Sequence, residues 1–280
     1  MNAGEASIQA AGVYPSFMGG GYSMGTYIGF ETTVNGGDLT VYAGGAFASS
    51  EEEEEPELET MGIQMGGDYK QTGGTVSAYG TPKSGETHGS ATDLSLIDDC
   101  DTLYCDDLTI TDGELNVVAG AKGTTAETSP ESVRGVSCYV LNIGKANSGL
   151  ASDLTVNIIA YDATRSSTGM TCSSGEDEGD HNIYYGTVNI TSGNVYDSSE
   201  SPSTTGVSDY SGDNYLHIYG GETTIHAGGY AGTEDADARS YGLYLNDSGL
   251  IVEGGYLNAT AATGTTTSAT KSAYGIYKNS

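Results

Sequence analysis

The sequence predicts an all-β fold, a right-handed parallel β-helix of about eight coils of three short strands, with a period of about 35 residues. Three observations predict it. Two glycine markers recur with the same beat along all 280 residues, the segments between them alternate apolar and polar residues, and each position keeps its chemical character from one repeat to the next. The first marker, the second glycine of a GG-type corner, falls at Gly4, Gly37, Gly74, Gly113, Gly193, Gly221 and Gly255, with Ser152 standing where one is missing. The second, a glycine ahead of the middle strand, falls at Gly25, Gly62, Gly135, Gly169, Gly206, Gly242 and Gly275, with Thr102 filling its gap.

Strands follow from the markers. After the corner, positions two, four and six point inward: Leu39, Val41 and Ala43, Leu115, Val117 and Ala119, Leu154, Val156 and Ile158, Leu257, Ala259 and Ala261. Val195 and Asp197 fit this column poorly. After the second glycine, positions one and three point inward, as with Ile63 and Met65 or Leu243 and Leu245. Before the corner a third strand contributes Leu108 and Ile110, Val188 and Ile190, Leu216 and Ile218, with Tyr69 and Gln71 interrupting its column. One small coil cannot bury three strands' worth of side chains, so coils must stack, about 4.8 Å apart, into a rod of roughly 40 Å. The crossover rule sets the right-handed winding. Residues 1–280 therefore read as one solenoid, and because the chain starts and stops inside a repeat, further repeats are expected at both ends, with export signal and anchor elsewhere.

Composition narrows the partners. The chain carries 38 acidic against 9 basic residues, a net charge of −29, and no basic patch, which excludes nucleic acid and anionic lipid as partners. No apolar run is long enough to span a membrane, so no membrane insertion is expected. Insertions fall at Phe47–Thr60, Thr81–Asp93, Lys122–Val133, Gly229–Ser240 and Thr263–Ser272, with an acidic one at Ser173–Asp180; the run Glu51–Glu55 reads as a solvated tip. Neither acidic stretch has calcium-loop spacing, and the cysteines and histidines lack that of a zinc site, so no metal and no cofactor are expected. Cys105, Cys138 and Cys172 share an inward column one coil apart and read as buried thiols, because parallel Cβ vectors suit a disulfide badly; Cys100 reads as a corner residue.

The outer face of the first strands is the rigid surface on which chemistry could sit. Position three holds Ser7, Thr40, Ser77, Asn116, Thr155, Tyr196, Thr224 and Asn258; position five holds Gln9, Tyr42, Tyr79, Val118, Asn157, Ser198, His226 and Thr260. Acid–base catalysis needs a titrating pair on a rigid element, and this face offers only His226. Repeating acids at position one (Glu5, Asp38, Glu114, Asp153, Glu222) read as scaffold. Hydroxyls, amides and a Tyr42–Tyr79 plate suit weak glycan contact, making Thr40, Tyr42, Ser77, Tyr79, Asn116, Asn157 and His226 the candidate face, with no catalytic residue.

The pattern of Gly-Gly, alternating strand, loop, Ser-Tyr-Gly-Ile-Tyr-like strand and a second alternating strand ending in Gly-Gly, clearest over Glu222–Tyr277, resembles the acidic, Gly- and Tyr-rich β-helix repeats of adhesin-like or carbohydrate-binding-domain-containing surface proteins of anaerobic gut bacteria. The resemblance implies a secreted or wall-attached, non-catalytic module that contacts glycans or a host or cell-wall surface. The alternative is a polysaccharide lyase or glycoside hydrolase of the pectate-lyase-like β-helix type, which rests on the fold alone.

Overall fold

Seven corner glycines carry the fold's repeating bend. Gly4, Gly37, Gly74, Gly113, Gly186, Gly221 and Gly255 all have φ between 75° and 121°, a left-handed backbone that side chains with a Cβ rarely adopt. A computed structural model describes residues 4–9, 21–44, 58–82, 94–146, 153–173, 179–197, 201–233, 236–264 and 270–279. It shows an all-β parallel solenoid, a β-helix, with a period of about 35 residues. Its one helical turn among the described residues is the short 3-10 segment Leu94–Leu96.

Second strands of successive coils, from Gly21–Ile28 through Ser132–Cys138 to Thr270–Asn279, stack as one eight-stranded parallel sheet. First and third strands share a 13-stranded sheet. In it Tyr69–Tyr79 and Asp107–Ala119 run unbroken through the corner, with a register shift in the first. No third strand follows Tyr256–Ala261 and Thr270–Asn279 among the described residues. The solenoid has about six turns, so the expected eight coils of three separate strands are corrected.

Two corner assignments are corrected. Gly193 does not precede a first strand; the strand is Thr187–Ser192, opened by Gly186, and Gly193 closes it. It belongs to another recurrent glycine, seven residues past the corner, shared with Gly44, Gly120 and Gly228. Val188 and Ile190 are therefore inward residues of a first strand, while His181 and Ile183 fill the third-strand column in that coil. Ser152 lies outside the described residues, and Leu154 takes the register position of Gly113 and Gly186. That shifts the inward set to Val156, Ile158 and Ala160, and moves Thr155, not Asp153, to position one. A slip of two residues preserves the face, so Leu154, Val156 and Ile158 are all buried.

The second glycine marker lies within its strand rather than ahead of it. Residues on either side pair, Gly25 with Gly62, Thr102 and Gly135, then through Gly169, Gly206 and Gly242 to Gly275. Second strands accordingly begin several residues earlier than expected, claiming Leu58–Thr60, Ser132–Val133, Asp237–Ser240 and Thr270–Ser272 from the expected insertions. Most of the first two insertions, all of Glu51–Glu55 and the middle of Ser173–Asp180 lie outside the described residues.

At this glycine the inward phase changes, and the interior divides in two. The main core collects Val41, Ile63, Leu115, Val136, Ile158, Met170, Ile190, Val207 and Leu243. A smaller core holds Leu58, Cys100, Ala119, Val133, Ala160, Val195 and Tyr230. A Cβ on Gly169 would lie 2.6 Å from the carbonyl oxygen of Gly206 and 2.6 Å from Ile190 Cγ2, so close packing requires glycine there. Thr102 is housed by an exchange: the facing residue is Gly80, where other coils carry Ala43, Ala119 or Ala160, and a Cβ on Gly80 would lie 2.6 Å from Thr102 Oγ1. Hydroxyls just before the marker tie the corner down. Ser23 accepts from Gly44 N, Ser167 accepts from Gly193 N, and Thr204 and Ser240 donate to Gly228 O.

The cysteine column stands as read. Cys138 pairs in register with Cys172, Cys105 follows directly after the paired Tyr104, and all three are buried and free of disulfides. Cys100 is corrected: it sits in the strand Asp99–Tyr104, fully buried, and burial pushes its thiol up to about 11. Tyr69 and Gln71 stay in their inward column. Tyr69 Oη donates to Gln71 Oε1 (3.0 Å), and Gln71 Nε2 donates to Gly74 O (3.0 Å) and Glu114 O (2.9 Å). A glutamine is tolerated inside because each polar end has a partner.

Candidate functional site

On the outer face of the first strands, the corrected register brings Thr40, Ser77, Asn116 and Asn157 into one consecutive column, continued by Asn189, Thr224 and Asn258. Tyr42 and Tyr79 lie beside it with rings stacked at 4.6 Å and 9°. Six of the seven candidates therefore form one patch. His226 is five strands from Tyr42 along the neighbouring column, about 24 Å away at ~4.8 Å per strand. Tyr196 leaves the face: its Oη donates to Asp162 Oδ2 at 2.6 Å; Ser198 lies outside the described residues. Asn189, Ile159 and Thr191 join it instead.

The amides of this face already bond one another. Asn189 Nδ2 donates to Asn157 Oδ1, Asn157 Nδ2 to Asn116 Oδ1 (2.9 Å each), and Asn116 Nδ2 to Glu114 Oε1 (3.0 Å). This ladder is a scaffold device, and it leaves Asn116 and Asn157 less donor capacity for a ligand. His226 Nδ1 lies 2.9 Å from Thr260 Oγ1.

A second site, absent from the sequence reading, lies on the outer face of the second strands. Tyr241 stacks on Tyr274 (5.9 Å, 12°) and Tyr244 on Tyr277 (5.7 Å, 13°), with Tyr210 tilted against Tyr244 at 5.8 Å. Tyr210, Tyr241, Tyr244 and Tyr277 wall an open groove of about 330 Å³ that is also lined by hydroxyls such as Ser203, Thr205 and Ser208. Among the described residues lining it Arg239 alone is charged, and Asp237 Oδ2 lies 3.7 Å from that guanidinium. Burial raises the phenols of Tyr241 and Tyr244 above their ordinary value, so both are neutral donors at physiological pH. The signal was in the sequence: Tyr-Gly-x-Tyr occurs at Tyr241–Tyr244 and Tyr274–Tyr277, one coil apart, which places like phenols directly over one another.

The third-strand face carries a smaller aromatic row. Tyr184 stacks on Tyr219 (4.9 Å, 11°), His217 stacks on Tyr219 at 5.5 Å, and His217 Nε2 lies 3.2 Å from Asp180 Oδ2.

Inside the main core, two polar residues meet. His181 stands between Leu141 and Leu216 in the third-strand column; Asp209 stands between Cys172 and Leu245 in the second. Leu141 N donates to His181 Nδ1 (3.2 Å), and His181 Nε2 is 2.6 Å from Ser211 Oγ and 3.4 Å from Asp209 Oδ1. Ser211 donates to Asp209 Oδ1 through both Oγ and N, while Asp209 Oδ2 has no hydrogen-bond partner among the described residues. Burial disfavours the imidazolium, while Cys172 and then Asp209 favour it. Its second proton would go onto Nδ1, where the Leu141 N–H already points, so the geometry holds the neutral Nε2–H form. Serine, histidine and aspartate adjoin here, but all three are at most 1% exposed, so no substrate reaches them.

Among the described residues, no group of three or more His, Cys, Asp or Glu is arranged to hold a metal ion, and no helix is long and apolar enough to cross a membrane, which says nothing about β-barrels. The fold and its outer faces define the chain as a parallel β-solenoid. No protein-family model matches it, and neither a curated protein nor a solved structure is found similar to it.

Proposed function

We propose that this chain is a non-catalytic structural and adhesive module of an extracellular or cell-surface bacterial protein, and that it meets carbohydrate on an outer face. The observation that carries the reading is the run of tyrosine stacks and hydroxyl or amide columns along the outside of a continuous parallel stack. A flat phenol beside several donors and acceptors matches a pyranose, which has apolar C–H faces and a rim of hydroxyls. The net charge of −29 favours solubility and disfavours nucleic acid and anionic membranes as partners. Right-handed winding of the stacked coils completes the picture as a stalk. The first-strand face, in its corrected register, presents no carboxylate, lysine or arginine at positions three and five, which argues against the polysaccharide-cleaving alternative.

Two measurements test this. Protease treatment of intact producing cells should release peptides of this chain, and a glycan array probed with the folded chain should show retained sugars without cleavage. Protection from protease on intact cells would defeat the surface assignment. An array without binding would remove the adhesive part and leave the stalk.

A further inference from the structure

The tyrosine-walled groove differs from its surroundings in charge. The chain has 38 acidic residues, yet among the described residues lining this groove none is acidic and Arg239 alone is charged. Arg239 and its loose partner Asp237 are 52% and 58% exposed, and their 3.7 Å separation is long for a charge-assisted hydrogen bond. A guanidinium offers a planar fork of donors that a carboxylate matches in two parallel bonds. At physiological ionic strength charges beyond a Debye length of about 8 Å are damped, so the nearby Arg239, with its partner Asp237, sets the local field at the groove. The groove's volume of about 330 Å³ is at the small end of ligand sites, suited to a short stretch of chain rather than a large cofactor.

We infer that this groove binds an oligosaccharide carrying a carboxylate, a uronate-type sugar, with Arg239 clamping the carboxylate and Tyr210, Tyr244 and Tyr277 receiving the ring faces. Ser203, Thr205 and Ser208 supply hydroxyl partners for the sugar rim. The inference rests on the reading above, that an outer face of this chain meets carbohydrate, and adds the place and the charge of the sugar.

Trigalacturonate and its fully methyl-esterified form make the test, because esterification removes the charge and little else. Titration calorimetry at neutral pH on the intact chain should show the acid bound at least tenfold more tightly than the ester. Arg239→Gln, at an exposed position where folding is not at stake, should erase that difference, and Tyr244→Ala should weaken both ligands. Equal affinity for acid and ester would overturn the carboxylate clamp while leaving carbohydrate contact intact. Tight acid binding that survives both substitutions would overturn the groove as the site. Absence of binding to either trisaccharide would overturn the inference, and the glycan array then decides the broader reading separately.

Discussion

His181 sits in a column whose neighbours are Leu141 and Leu216, and Asp209 in one that continues to Leu245, so two adjacent coils each replace an apolar residue by a polar one at the same depth. Removing one member of such a network strands the other; replacing all members by apolar residues does not. His181→Leu alone should therefore cost about 3–5 kcal/mol, read from urea denaturation. The combined His181→Leu, Asp209→Leu, Ser211→Ala chain should recover most of that loss. A single variant as stable as the parent would show that the network contributes nothing. Asp101, on the outer side of the same sheet, tests charge differently. Burial raises its carboxyl to about 6, with Arg134 at 3.3 Å working the other way and Asp99 and Glu59 adding to the rise. A carboxylate raised in the fold holds its proton longer there than when unfolded, so its contribution is full below the unfolded pKa of about 3.9 and is lost as pH rises through about 6. Asp101→Asn should gain stability relative to the parent as pH rises from 4 to 6 and then level off. A constant difference across that range would refute the assignment.

At the scale of elements, the bend within seven of the eight second strands depends on a glycine whose missing side chain lets two sheets touch, Thr102 being the exception. Gly169→Ala should cost roughly 1–3 kcal/mol, since its Cβ would press on a backbone oxygen that cannot step aside. Gly29→Ala is the control: its Cβ would meet Tyr27 at an ordinary 3.6 Å. Denaturation midpoints that shift equally for the two variants would mean that the close approach is not what selects glycine. The neighbouring first strands are joined instead by the asparagine ladder, which spends on scaffold the amides that pattern alone assigns to ligand contact.

At the scale of the whole molecule, the outermost described strands have a partner on one side only. Glu5–Gln9 pairs with Asp38–Tyr42, and Thr270–Asn279 pairs with Asp237–Asn246. Ile8, Tyr27, Tyr256 and Ile276 are exposed there, between 38% and 64%. Open ladder edges over apolar side chains favour pairing with another chain. The chain as it stands should associate end to end, with sedimentation giving an average mass that rises with concentration, and Ile276→Lys should reduce that rise. A mass independent of concentration in the parent would show that these edges are protected.

The sequence by itself determined the repeat, the parallel solenoid, most of the inward columns and the three-thiol column, because period-two burial and a recurrent glycine are local signals copied in nearly every coil. It also placed Tyr42 over Tyr79, since residues at equal positions in successive coils must stack. Tertiary structure alone decided which of two equally spaced glycines opens the coil at Gly186, because only the backbone torsion separates Gly186 from Gly193. It decided that Asn157 belongs with Asn116 and Asn189, a shift of two residues that leaves the hydrophobic pattern unchanged and so leaves no trace in it. It set His181 opposite Asp209, residues of different strands whose meeting depends on how three faces close around one core. And it gathered Arg239 with Tyr210, Tyr244 and Tyr277, because a groove is a property of side chains from adjacent coils and not of any one stretch of chain.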